Sequence, residues 1–244
     1  MIRNWSTAVS GALRRPSAPV THALIVVCCL VFLIGPASGL DPGYGTGDEL
    51  LAAQRAYFRH WGVIPADVFD GSARSALTPA TALFVHANWV HLLGNMLFLH
   101  VFGTMTEARM GPLRFTLFYA GCGYLALLGY AVAHADSDQS LVGASGAVSG
   151  ILGAFLLLFP RARVTSLLPF LFFLPVRFPA WVVLPFWVVL QWLAAGQASD
   201  GPGVAYLAHL LGFGLGFCWA WARFTGTTTV RGAPAPASEG ENQQ

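Results

Sequence analysis

The sequence predicts an all-α polytopic membrane protein, on three observations. Of its 244 residues, 55% are hydrophobic and only 10% are charged, a balance unlike that of soluble domains. The apolar residues are gathered into six runs of near bilayer-spanning length, divided by polar connections. The thirteen basic residues are all arginines, and they fall unevenly on the two sides those runs define. With six spans and the N-terminus inside, Arg3, Arg14, Arg15, Arg109, Arg114, Arg161, Arg163, Arg177, Arg223 and Arg231 lie inside, and Arg55, Arg59 and Arg74 lie outside. That asymmetry obeys the positive-inside rule. The net charge of +2 says nothing about nucleic acid, and arginines scattered in ones and twos beside apolar runs fit membrane topology better than a binding patch.

The elements follow in order. Residues 1–20 are a polar, arginine-bearing cytoplasmic segment. His22 to Gly39 is the first apolar run; its basic flank and Pro36-Ala37-Ser38 also describe a signal peptide. Residues 41–81 are a long outer loop, whose middle, Gly47 to Trp61, reads as an amphipathic helix with Leu50, Leu51, Tyr57, Phe58 and Trp61 near one face. Such a helix suits the membrane interface, or a plain loop on a soluble surface. Span two is placed at about 84–105, span three at about 115–133 and span four at 141–159. Val164 to Val176 is apolar but, with Pro169 and Pro175 in it, too short to cross. Span five covers Pro179 to Leu193 with its flanks, and span six Gly203 to Ala222. Residues 225–244, rich in Thr, Ala, Pro and Glu, form a disordered cytoplasmic tail. Cys28, Cys29, Cys122 and Cys218 lie inside apolar runs without CxxC spacing, so they imply neither a disulfide nor a metal site.

Polar residues inside the apolar runs point to function. Span four opens with Gly143-Ala144-Ser145-Gly146, and Gly146, Gly150 and Ala154 follow at a spacing of four. That spacing lines one helical face with small residues, so another backbone can approach closely. Taken alone, the stretch is equally a packing motif with an incidental serine. His86, His91 and Asn95 stand at the start of span two, and His209, with Gly212 and Gly216 after it, at the start of span six. Ionisable residues in membrane spans are functional candidates by default. Spans two, four and six all run from outside to inside, and His91, Ser145 and His209 each lie in the first two turns or so, hence at similar depth. The set supplies a nucleophile (Ser145), a base (His209) and donors for an oxyanion (His91, Asn95 and the Ser145 N–H). Water must reach such a site, which predicts an outward-open polar cavity lined by His86, His91, Asn95, Ser145, Ser149 and His209.

These motifs resemble those of the rhomboid family of intramembrane serine proteases. They are Gly-x-Ser-Gly at 143–146, His-x-x-x-x-His-x-x-x-Asn at 86–95 and Ala-His-x-x-Gly-x-x-x-Gly at 208–216. Phe102-Gly103 with Glu107, Pro160 to Arg163, and Trp187 to Gln191 look like the family's connecting signatures. The resemblance implies a six-helix rhomboid domain at 21–224 with a membrane-embedded first loop, and a Ser145–His209 dyad without an orienting acid. It also implies a supporting role for His86, whose family counterpart bonds within the neighbouring loop, and for Gly143, Gly146, Gly150, Gly212 and Gly216. The chain departs from the family at Ser149, where an aromatic often stacks on the histidine, and at Leu211, where a second glycine is common.

The reading is therefore an intramembrane serine endopeptidase without cofactor or metal. Its partners are transmembrane protein substrates and the lipid bilayer, and no nucleic acid; the sequence assigns no oligomeric state. The expected location is the bacterial plasma membrane, with both termini cytoplasmic. The alternatives are a catalytically weak rhomboid-like protein that binds membrane clients, and a proton-coupled transporter using His86, His91 and His209 as a relay. The transporter class usually shows internal repeats or intramembrane carboxylates, and the sequence has no internal repeat.

Overall fold

The computed structural model describes residues 17–168, 174–196 and 205–225. The expected N-terminal segment through residue 16, most of the expected tail, and the start of the sixth apolar run lie outside the described residues. Each of the six apolar runs of near-spanning length contains a helix among its described residues. α1 (Pro19–Ile34) opens with proline at its first position and stops at Gly35, followed by a turn through Pro36. α2 (Asp48–Trp61) is the loop helix, with Asp48 and Glu49 in its first turn and Arg59 and His60 in its last. Those charges match the helix dipole at both ends. Gln54 Nε2 donates to the Pro36 carbonyl at 3.1 Å, tying α2 to the end of α1.

α3 (Ala73–Thr81) begins at Ser72, whose hydroxyl accepts from the Ser75 N–H. The chain then turns through about 80° into α4 (Trp89–Phe98), a π-helical turn (Leu99–Gly103) and α5 (Thr104–Met110). Gly111, at φ +83°, lets the chain reverse at once into α6 (Pro112–Ala133). Among the described residues, α6 is the one helix that alone is long and apolar enough to cross a bilayer. α7 (Ser145–Leu158), α8 (Ala180–Ala195) and α9 (Tyr206–Phe224) complete the bundle.

Over its described residues, the short apolar stretch after α7 is not helical but extended. Arg163–Leu168 (β1) pairs antiparallel with Leu174–Pro179 (β2), in the register Val164↔Phe178 and Thr165↔Arg177. Burial alternates along β1: Val164 and Ser166 turn inward, Arg163 and Thr165 outward. That is the period of a strand with one covered face.

α7 is the central helix. Every residue from Gly146 to Phe155 is buried, as expected for a helix apolar on all sides. Its tightest partner is α9. A Cβ on Gly212 would overlap the carbonyl oxygen of Gly146, and one on Gly216 would overlap that of Gly150. One on Gly153 would overlap the carbonyl of Phe213. The two backbones thus interlock over about two turns, on the small-residue spacing that the sequence displays.

Candidate active site

The segment entering α7 is fixed by backbone pairing before the helix starts. Val63 and Leu141 exchange N–H···O bonds at 2.9 and 2.7 Å, and the Gly143 N–H donates to the Ala82 carbonyl at 2.9 Å. Gly143 then adopts φ +126°, a conformation that L side chains rarely take. Its missing side chain also makes room. A Cβ there would lie 2.7 Å from His91 Nε2 and 3.7 Å from Ser145 Oγ. The imidazole of His91 and the hydroxyl of Ser145 therefore both lie close to Gly143. Ser145 is the first residue of α7, where the first backbone N–H groups have no intrahelical partner.

His91 is oriented by its own helix start. Asn88 caps α4 by accepting from the His91 N–H at 2.9 Å. The Ala87 N–H points to His91 Nδ1 at 3.5 Å. With Nδ1 accepting, the ring proton sits on Nε2, the nitrogen beside Gly143. Asn95 is buried, and its side-chain amide donates to the His91 carbonyl at 2.9 Å; no hydrogen bond joins that amide to Ser145 among the described residues. His86 is fully buried and lies edge-on to His91, with ring centroids 5.3 Å apart. Its ring nitrogens face no partner at normal hydrogen-bond length.

His209 stands in the first turn of α9, held on two sides by α8. Gln191 Oε1 lies 2.7 Å from His209 Nδ1. The Trp187 ring is nearly parallel to the imidazole, at 28° and 6.1 Å between centroids. Sequence reasoning missed both contacts as features of the site. Their signal was Gln191 itself, a polar amide in an otherwise apolar helix. Trp187 covers the imidazole from α8, where a family aromatic would have done so from the position of Ser149. The Ser149 hydroxyl instead donates to the Ser145 carbonyl at 2.7 Å. The other departure is accommodated too: Leu211 packs into the space left by Gly129 on α6, where a Cβ would sit 2.8 Å from it.

The helix interlock brings the first turn of α7 against that of α9, with Gly146 beside the Ala208 carbonyl. No hydrogen bond joins Ser145 to His209 among the described residues. Such bonds often tighten only when substrate is bound. The residues expected to line an outward-open cavity differ in exposure. His86, Asn95 and Ser149 are buried, and Ser149 spends its hydroxyl on the helix backbone, so only His91, Ser145 and His209 of that set are part-exposed. No group of three or more His, Cys, Asp or Glu that could hold a metal occurs among the described residues.

Residues 74–226 match the sequence profile described as the Rhomboid domain. Among curated proteins, the chain is 37% identical over 137 residues to "Rhomboid protein 1, mitochondrial" of Saccharomyces cerevisiae, covering 54% of this chain and 38% of that protein. It is 32% identical over 144 residues to "RHOMBOID-like protein 6, mitochondrial" of Arabidopsis thaliana, covering 57% of this chain and 40% of that one. The matched region thus spans less than half the length of either relative.

Proposed function

Because the chain belongs to the rhomboid family, we propose that it is an intramembrane serine protease that hydrolyses peptide bonds of transmembrane substrates near their outer ends, using Ser145 and His209. The observation that carries this reading is the placement of Ser145 Oγ and His91 Nε2 close to Gly143, at the start of a helix interlocked with that of His209. A substrate carbonyl brought up beside Gly143 would meet the Ser145 hydroxyl and the His91 ring N–H in the same neighbourhood.

The chemistry follows from these positions. His209 Nε2 takes the Ser145 proton as Oγ bonds to the carbonyl carbon. The resulting oxyanion is met by the His91 Nε2–H, the Ser145 N–H and a rotated Asn95 amide. The tetrahedral species then collapses, and the imidazolium returns its proton to the leaving amine. Water, activated by the same nitrogen, frees the acyl group from Ser145.

Depth supports an outer-face site. The fourteen residues of α7 rise about 21 Å, against a hydrocarbon thickness of about 30 Å. With Arg161 and Arg163 marking its inner end, the shortfall leaves Ser145 beneath the outer surface. The proposed spans are α1, α4 with α5, α6, α7, α8 and α9, with both termini on the arginine-rich side, which in a bacterial plasma membrane is the cytoplasm. The test is purified protein in liposomes with a panel of transmembrane reporters, beside Ser145→Ala. Cleavage by the native chain alone supports the reading; cleavage by neither protein, across the panel, favours a client-binding role.

A further inference from the structure

From the 2.7 Å contact between Gln191 Oε1 and His209 Nδ1, we infer that Gln191 is the positioning residue that fixes the tautomer of the catalytic base. This rests on the protease reading above and completes it, since the sequence offers no acid to orient His209.

An amide oxygen accepts and cannot donate. With Oε1 facing Nδ1, that nitrogen must carry the ring proton, and Nε2 keeps the lone pair that a base needs. The opposite amide orientation would place an NH2 against Nδ1, put the proton on Nε2 and disable the ring as a base. Serine proteases in water assign this task to a buried aspartate, which holds the imidazole in one tautomer and stabilises its charged form. In a membrane helix a carboxylate carries a heavy desolvation cost. A neutral amide provides the orientation without that charge.

The rest of α8 agrees. Between Ala180 and Ala195, Gln191 is the one residue that is neither apolar nor aromatic. Its flanking residues Leu190 and Trp192 are exposed, as membrane-facing side chains would be, while Gln191 itself is part-buried. A polar amide in such a helix is stabilised only where it finds a partner, and here the partner is the imidazole. Trp187 stands one turn earlier, on the same face, and stacks on the ring. One contact fixes which nitrogen carries the proton; the other fixes the ring plane.

The test is nitrogen NMR on the full chain labelled with 15N-histidine in micelles, the His209 signals being identified by their loss in His209→Phe. The native protein should show a protonated Nδ1 and an unprotonated Nε2 at His209. Gln191→Ala should give a mixture of tautomers and lower kcat about tenfold with KM little changed, the scale of one lost hydrogen bond. Gln191→Glu, whose carboxylate keeps an acceptor oxygen at Nδ1 but buries a charge, should retain the Nδ1–H tautomer without restoring full kcat. A native His209 with its proton on Nε2, or an unaltered tautomer and kcat in Gln191→Ala, would overturn the inference. If Gln191→Ala does not fold, the native spectrum decides alone. The spectrum needs no substrate, so a chain that shows the Nδ1–H tautomer but cleaves nothing would defeat the protease reading and leave this assignment standing.

Discussion

Glu107 Oε2 accepts the backbone N–H of Thr21 at 2.7 Å, across 86 residues of sequence, while its Oε1 accepts that of Val20 at 3.0 Å. These N–H groups belong to the first turn of α1, which has no side-chain cap of its own. A carboxyl group from α5 thus caps a helix elsewhere in the chain, satisfying donors that the helix start leaves open. It joins the first helix to the bundle at the end opposite the site.

Glu107→Ala should therefore destabilise the protein without touching the chemistry. Two donors lose their partner in a buried place, at a cost of about 2 kcal/mol or more. Glu107→Gln, with one acceptor oxygen left, should fall between. Thermal unfolding in detergent measures this; an Ala variant as stable as the native chain would show that the cap is dispensable.

The interlock of α7 and α9 predicts a contrast between two glycines on one helix. Gly216→Ala sets a methyl group onto the Gly150 carbonyl, which is backbone and cannot move aside. It should cost about 2 kcal/mol or more through overpacking and should reduce activity by separating Ser145 from His209. Gly214→Ala meets no atom within 4 Å and should be neutral or slightly stabilising. Equal melting temperatures for the two variants would refute the close approach.

The interlocking glycines Gly146, Gly150, Gly212 and Gly216 were legible from their spacing of four, as were the positions of the apolar helices, because both are periodic properties of the chain. The β1–β2 hairpin was not. Its strands are six residues each, and β2 contains Pro175, so length and proline alone marked the stretch as something other than a span. Gln191–His209 and Glu107–Thr21 were hidden for another reason. Each joins residues far apart in sequence, through a side-chain direction that no local pattern encodes. The identities of Ser145 and His209 stood out because polar groups are rare in such runs; the amide that orients the histidine was equally rare, but had no place in a dyad read from motifs.

The oxyanion donors can be separated from the nucleophile. His91→Ala and Asn95→Ala should each lower kcat by about a hundredfold, on the order of 3 kcal/mol per donor, and move KM little. Gly143→Ala should do as much with all reacting groups intact, since its methyl group would displace the His91 ring and strain a backbone at φ +126°. Steady-state kinetics on a transmembrane reporter decides. A residue whose loss leaves kcat unchanged has no part in the oxyanion site.

The central claim is that Ser145 is a nucleophile activated by His209, and covalent labelling tests it most directly. The full chain in liposomes is treated with a fluorophosphonate, which reacts with activated serine hydroxyls, and the modified residue is found by peptide mass spectrometry. The account predicts a single adduct on Ser145 that disappears in His209→Ala while the variant remains folded. Labelling of Ser145 at the native rate in His209→Ala, or an adduct confined to another serine, would contradict it.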